Sequence, residues 1–159
     1  MCLTRSSLAS AMEADLDSAK ALSVKQPWAE LILSGRKTIE LRRWSAPYRG
    51  PLWLHTGGTS DERAMLHFRM SGLFSGGYVG LVLVEDILPM DRQRWTQWRH
   101  LHLDPGVSGE GLWAWLLSQP RRLSSPLGGR GALKLFDVDP QIARTLRDRL
   151  LPLPESSDR

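Results

Sequence analysis

A chain of 159 residues with 42% hydrophobic and 24% charged side chains has the size and composition of one globular domain with its own core, and is neither disordered nor fibrous in character. Its 21 lysines and arginines against 17 acids leave a formal charge of +4, a tilt that permits phosphate-rich partners without requiring them. Cys2 is the single cysteine, which excludes an internal disulfide and a cysteine-based metal centre, and no apolar run approaches the roughly 20 residues of a membrane span.

In chain order, residues 1–20 are polar and rich in small side chains, and read as a mobile arm. They hold acids and no apolar core of the signal-peptide kind, so a cytoplasmic, non-secreted protein is expected. Ala21 to Val24 fits a short strand. In "KQPWAELILSG", Pro27 suits a first helical position, Trp28, Leu31 and Ile32 follow at helical spacing, and Gly35 supplies a left-handed stop. "TIELRRW" alternates as a strand, with Thr38, Glu40, Arg42 and Trp44 on one face and Ile39 and Leu41 toward the core. "PLWLHT" places Trp53 and His55 opposite Leu52 and Leu54. "SDERAMLHFRM" reads as a helix that Ser60 can cap, with acids in its first turn. "YVGLVLVEDI" is a nearly continuous apolar run, expected to be the most buried strand. "DRQRWTQWRHLHL" is ambiguous, although Trp95 and Trp98 have helical spacing. "GLWAWLL" is a strand with Trp113 and Trp115 on one face, and "GALKLFDV" a final strand. "DPQIARTLRDRLL" is a helix over 139–151, capped by Asp139, with Pro140 first and Ile142, Ala143, Leu146 and Leu150 inward. Residues 152–159 read as a tail. The expected fold is α+β: a small, curled barrel of about five or six strands flanked by short helices, in one domain over 21–138.

Among motifs, no P-loop or dinucleotide fingerprint occurs. "GVSGEG" misses a nucleophile elbow because Glu110 replaces the second glycine. His100 and His102 stand two apart with no further ligand in pattern, so solvated histidines are expected and no metal or other cofactor is assigned. Most of the seven tryptophans should fill the core, with Trp44 and Trp113 or Trp115 the better candidates for a stacking surface. An indole flanked by Arg42, Arg43 and Arg49 can stack on a base while the guanidinium groups hold phosphates. Glu40 and Arg42, about 6–7 Å apart along a strand, leave two readings open. One is a surface ion pair contributing little to stability. The other is a polar cleft in which Glu40 accepts from a base edge and the cations take phosphate.

"LSVKQPWAELILSGRKTIELRRW" and the following "YRGPLWLHTG" resemble the amino-terminal signature of the ASCH (activating-signal-cointegrator homology) domain family. Its pattern of Gln-Pro-Trp-Ala, then Gly-x-Lys-x-x-Glu-x-Arg and an aromatic, is matched by Gln26 to Ala29, Gly35, Lys37, Glu40, Arg42 and Trp44. The resemblance covers about 21–138. It implies a PUA-like pseudo-barrel and a cleft between the short helix and the barrel, lined by Lys37, Glu40 and Arg42. It also implies RNA or DNA binding, and for some members transcriptional coactivation. One branch of the family hydrolyses N4-acetylcytidine with a lysine matched by Lys37 and a threonine three residues later, where this chain has Glu40; another is a ribonuclease. That departure argues against transferring the hydrolysis.

Three functions follow as expectations. The first is a nucleic-acid-binding module, RNA favoured over DNA, acting through Lys25, Gln26, Trp28, Lys37, Glu40, Arg42, Arg43, Trp44, Arg49, His55 and Trp115. The second is a hydrolase on RNA or modified nucleosides, with Lys37 and Glu40 as an acid and base pair. The third is a coregulator module anchored on a protein partner by Trp95 or Trp98. A monomer without membrane contact is expected in each case.

Overall fold

The near-continuous apolar run after Gly76 becomes β4, Gly77–Pro89, at the middle of a six-stranded sheet. The computed structural model describes residues 16–155. The strands are β1 (Lys20–Ser23), β2 (Ile39–Arg42), β3 (Gly50–Thr56), β4, β5 (Trp113–Gly128) and β6 (Leu135–Phe136), in the spatial order β2-β5-β4-β3-β1-β6. β1 runs parallel to β3, and every other neighbouring pair is antiparallel. Pairing of β4 with β5 shifts register at three places and that of β3 with β4 at one. Such irregularities bend a strand and raise its twist, and here they curl the sheet into a half-barrel.

Both faces are covered, which is why β3 is buried from Pro51 to Thr56 instead of alternating. Leu52 and Leu54 join Leu22, Val24, Ile32, Val82 and Trp115 on one side. Trp53 joins Leu16, Ala21, Tyr78, Leu81 and Leu146 on the other. A third cluster of Ile39, Met90, Trp95 and Ala114 closes one end.

Five short helices flank the sheet: α1 (Trp28–Leu33), α2 (Glu62–His67), α3 (Arg92–Gln97), α4 (Arg99–His102) and α5 (Pro140–Arg149). α1 begins one residue later than its proline implied, with Pro27 as the cap, and Gly35 at φ +80° turns the chain out. Asp61, not Ser60, caps α2, its carboxylate accepting from the Ala64 amide; the same carboxylate is held by the Trp28 indole. The ambiguous segment is helical, in two pieces that meet at Trp98.

β5 runs well beyond "GLWAWLL". Its pairing skips from Ser118 to Arg121 around Pro120, which has no N–H for the ladder, and then continues along β4. β6 is shorter than "GALKLFDV", because Lys134 at φ +58° leaves the extended region just before it. The arm expected over 1–20 lies partly outside the described residues. Its last residues are folded: Leu16–Ser18 make a 3₁₀ turn, Leu16 and Ala19 are buried, and Asp17 pairs with Arg147. Of the expected tail, 152–155 are exposed and the rest lies outside the described residues.

Asp139 caps α5 by accepting from the Gln141 amide, and Ala143 and Leu146 are buried in the second cluster. Leu146→Ala is therefore expected to lower stability by about 2–4 kcal/mol, seen as an earlier midpoint in urea denaturation; an unchanged midpoint would show that α5 is not part of the cooperative unit.

Candidate functional site

Past α1, the Lys37 amide donates to the Leu31 carbonyl at 2.9 Å, folding the chain back before β2 begins. Among the described residues β2 pairs only with β5, Glu40 opposite Trp115 and Arg42 opposite Trp113. Its beginning rests on the end of α4, where the Thr38 amide donates to the Leu101 carbonyl at 3.0 Å and the Lys37 ammonium to the His102 carbonyl at 2.8 Å. These are helix-end carbonyls that lack intrahelical partners: Pro105 has no N–H for the first, and the Gly106 amide is taken by the Asp104 carboxylate. The His102 ring locks that end in place. Its Nδ1 accepts from the Asp104 amide at 3.0 Å, its Nε2 donates to the Trp95 carbonyl at 2.9 Å, and it stacks on the Trp95 ring. Burial pushes its pKa down, in keeping with a neutral imidazole.

Lys37 and Glu40 are 3% and 7% exposed. Glu40 is therefore no surface ion-pair partner, the first of its two readings. Its Oε1 accepts from the Leu41 amide at 2.9 Å and faces the Lys37 Nζ at 3.6 Å. Its Oε2 accepts from Arg42 Nη2 at 3.1 Å, and the same nitrogen donates to the Ser23 carbonyl at 2.9 Å. Arg42 Nε is buried without a hydrogen-bond partner. Burial pushes the Lys37 pKa down, more than Glu40 and Asp104 pull it up. Burial also pushes the Glu40 carboxyl up, but Arg42, Lys37 and the Leu41 amide outweigh it and hold the carboxyl below its ordinary range. Two cations on one carboxylate leave the triad with a formal charge of +1.

The triad floors a cleft of about 740 Å³. The half-buried Trp28 forms part of the wall, its Nε1 donating to Asp61 at 3.0 Å and its ring 5.0 Å from the Lys37 Nζ. Trp44 forms another part, edge-on to Trp115 at 5.0 Å, with the Lys134 ammonium 5.7 Å from its ring. Lys25 and Arg43 are exposed at the rim, and the Gly57–Thr59 loop completes the lining together with Asp104. The hydrogen bonds from Trp28 and the Ala64 amide hold the Asp61 carboxyl low.

The cleft thus gathers Lys25, Trp28, Lys37, Glu40, Arg42, Arg43 and Trp44. Four other expected residues lie elsewhere. Gln26 is buried, accepting from the Glu30 amide and donating to the Phe74 carbonyl. Arg49 is paired with Asp86 and the Tyr48 carbonyl. His55 is buried between the Ser23 hydroxyl and the Gly129 carbonyl. Trp115 has no exposed surface and supports Trp44 from behind, so it offers no stacking face. Trp95, expected as a partner anchor, is also buried. Trp98 is half-buried, with Arg94 5.4 Å from its ring. His100 is exposed but His102 is buried, so the two are not a solvated pair. Ser23, Asp61, Asp104 and the His102 carbonyl were not legible as site groups, because each reaches the cleft from a distant segment. Among the described residues, no three His, Cys, Asp or Glu side chains are grouped to hold a metal, and no helix is long and apolar enough to cross a membrane.

The family model for the ASCH domain matches residues 22–126. The chain belongs to the ASCH domain family. Human Activating signal cointegrator 1 is 50% identical over 38 residues, which are 24% of this chain and 6% of that protein. The mouse protein of the same name is 45% identical over 42 residues, 26% of this chain and 7% of that protein. The chain therefore matches only a small part of those relatives' length. A crystal structure of ASCH from Zymomonas mobilis superimposes with TM-score 0.59 at 14% identity, covering 87% of this ASCH chain and 99% of the other. A point variant of that protein gives 0.60 at 15% identity, covering 84% and 96%. These structures share the half-barrel fold.

Removing one member of the buried triad strands the others. Glu40→Gln is expected to cost about 3–5 kcal/mol in urea denaturation at neutral pH, partly recovered by adding Lys37→Met. Because Glu40 titrates lower folded than unfolded, its contribution is present above its ordinary value of 4.5 and lost as pH falls through the lowered one. That acid-side loss should be missing from the Glu40→Gln variant; identical acid profiles would refute the assignment.

Proposed function

We propose that this ASCH domain binds single-stranded nucleic acid, RNA before DNA, with one base in the cleft beside Trp28 and Trp44 and the adjoining phosphates on Arg43 and Lys25. The observation that carries this reading is the Lys37–Glu40–Arg42 triad, of formal charge +1, at the floor of a cleft flanked by two indoles. Aromatic faces stack bases with little sequence preference, and guanidinium groups take phosphate. The carboxylate of Glu40, ionised and anchored by two hydrogen bonds, is suited to accept from a base edge. The name of the mammalian relatives fits a coregulator as well as a nucleic-acid-binding protein, and one domain can serve both.

Binding of a labelled oligouridylate, followed by fluorescence anisotropy from low to moderate salt, tests this. The affinity should fall with salt by about 0.7 log–log units for each neutralised phosphate. Arg43→Ala should flatten that slope, and Trp44→Ala should cost about 1–3 kcal/mol. Tight binding that ignores salt and both substitutions, or no binding at all, would sink the proposal.

A second reading is favoured by one observation: a lysine whose pKa is lowered by burial lines the cleft, as a general acid–base on RNA or acylated nucleosides would require. Against it stands Glu40, whose carboxyl is held low and so accepts protons poorly. If the domain is such a hydrolase, purified protein releases cleaved RNA, or cytidine from acylated cytidine, and loses this activity in Lys37→Ala with the fold retained. Absence of product from either substrate removes this reading.

A further inference from the structure

The cleft does not end at Trp28. Trp28, Asp61 and Asp104 also border a second hollow of about 610 Å³, walled by Arg63, His67, Phe68 and the Pro105–Gly106 turn. A third hollow of about 520 Å³ shares His67 and Phe68 with the second and extends to Arg99 and His100. Together they form one groove that leads from the buried triad across α2 to α4.

We infer that this groove is the track for the nucleotides next to the one in the main cleft, so that a single nucleic-acid strand occupies all three hollows. The inference rests on the nucleic-acid reading of the main cleft and adds subsites to it. Its ring surfaces come from His67 and Phe68, which stand edge to face with centroids 4.8 Å apart. Both ring types stack on unpaired bases. The cations are spaced along the track: the Arg36 guanidinium lies 5.8 Å from the Phe68 ring centroid, and the exposed Arg63 and Arg99 line successive hollows.

The two carboxylates at the neck are already engaged. Asp61 accepts from the Trp28 indole and the Ala64 amide, and Asp104 from the Gly106 amide. The neck is therefore a polar passage that faces base edges, while the phosphates follow the arginines. A groove for an apolar peptide helix would instead present a continuous hydrophobic floor; here arginine, histidine and carboxylate side chains interrupt it throughout.

Anisotropy competition with mono-, tri- and hexanucleotides of uridylate on the full chain tests the track. The affinity should rise about tenfold or more from mono- to hexanucleotide. That ratio should shrink toward one in the Arg63→Ala/His67→Ala double variant, whose exposed side chains can be removed without opening the core, and in Phe68→Ala. An affinity that does not grow with length, or a ratio unchanged in the double variant, overturns the inference. If hexanucleotide binding still depends on Trp44 and Arg43 in that case, the main-cleft reading stands alone. If no oligonucleotide of any length binds, the main-cleft reading falls and the track falls with it.

Discussion

The site depends on keeping the Lys37 ammonium out of water. Removing an ammonium from solvent costs several kcal/mol unless its protons are satisfied, and three separate segments are shaped to satisfy this one. β2 supplies Glu40, α4 ends so that the His102 carbonyl points at Nζ, and α1 offers the Trp28 ring. Each provision has its own requirement. The His102 carbonyl is free because its helix stops there, with Leu103 at φ +62° and the Gly106 amide donating to the Asp104 carboxylate instead. The His102 ring, held at both nitrogens and stacked on Trp95, keeps that end from shifting. Trp95 in turn sits in the cluster that closes the sheet beneath Ile39. The buried cation thus ties helices, edge strand and core into one arrangement, and the cleft is the part of it that opens to solvent.

The elements legible in the sequence were those whose chemistry is local. Gly35 at a left-handed position, Asp139 followed by Pro140, and the apolar runs of β3 and β4 each carry their cause within a few residues. What was illegible was set by contacts across the chain. Alternation correctly put Glu40 and Arg42 together, but it could not show the walls contributed by the Gly57–Asp61 loop and the turn at Asp104, so a surface pair and a polar cleft both stayed open. Trp115 has the same period as Trp113, yet Trp44 and the first core cluster cover it completely. Asp61 displaced Ser60 as the cap because it is also fixed by Trp28, a residue 33 positions away. His55 and Gln26 looked available and are instead consumed by backbone partners.

The same contacts bear on the proposed choice between recognition and hydrolysis. A general base must hold a free lone pair near its working pKa. Arg42 and Lys37 together with the Leu41 amide stabilise the charge of Glu40 and hold its carboxyl low, so it accepts hydrogen bonds but takes up a proton poorly. Lys37 is less committed: one short hydrogen bond to a carbonyl, a longer approach to Glu40 and an aromatic face leave it the more adaptable group. A fixed acceptor thus stands beside a more adaptable donor at the floor of the cleft.

Glu40 also sets the charge and the rigidity of the cleft floor. The carboxylate reduces the triad to a single formal positive charge and immobilises Arg42 against the Ser23 carbonyl. A less cationic, more rigid floor weakens attraction for free anions in general while sharpening the geometry for one neutral base. The exposed cations lie outside the floor, Lys25 and Arg43 at one end and Arg63 and Arg99 at the other. That division, one compensated positive charge held rigidly inside and exposed cations along the rim, is what the proposed binding of a single strand rests on.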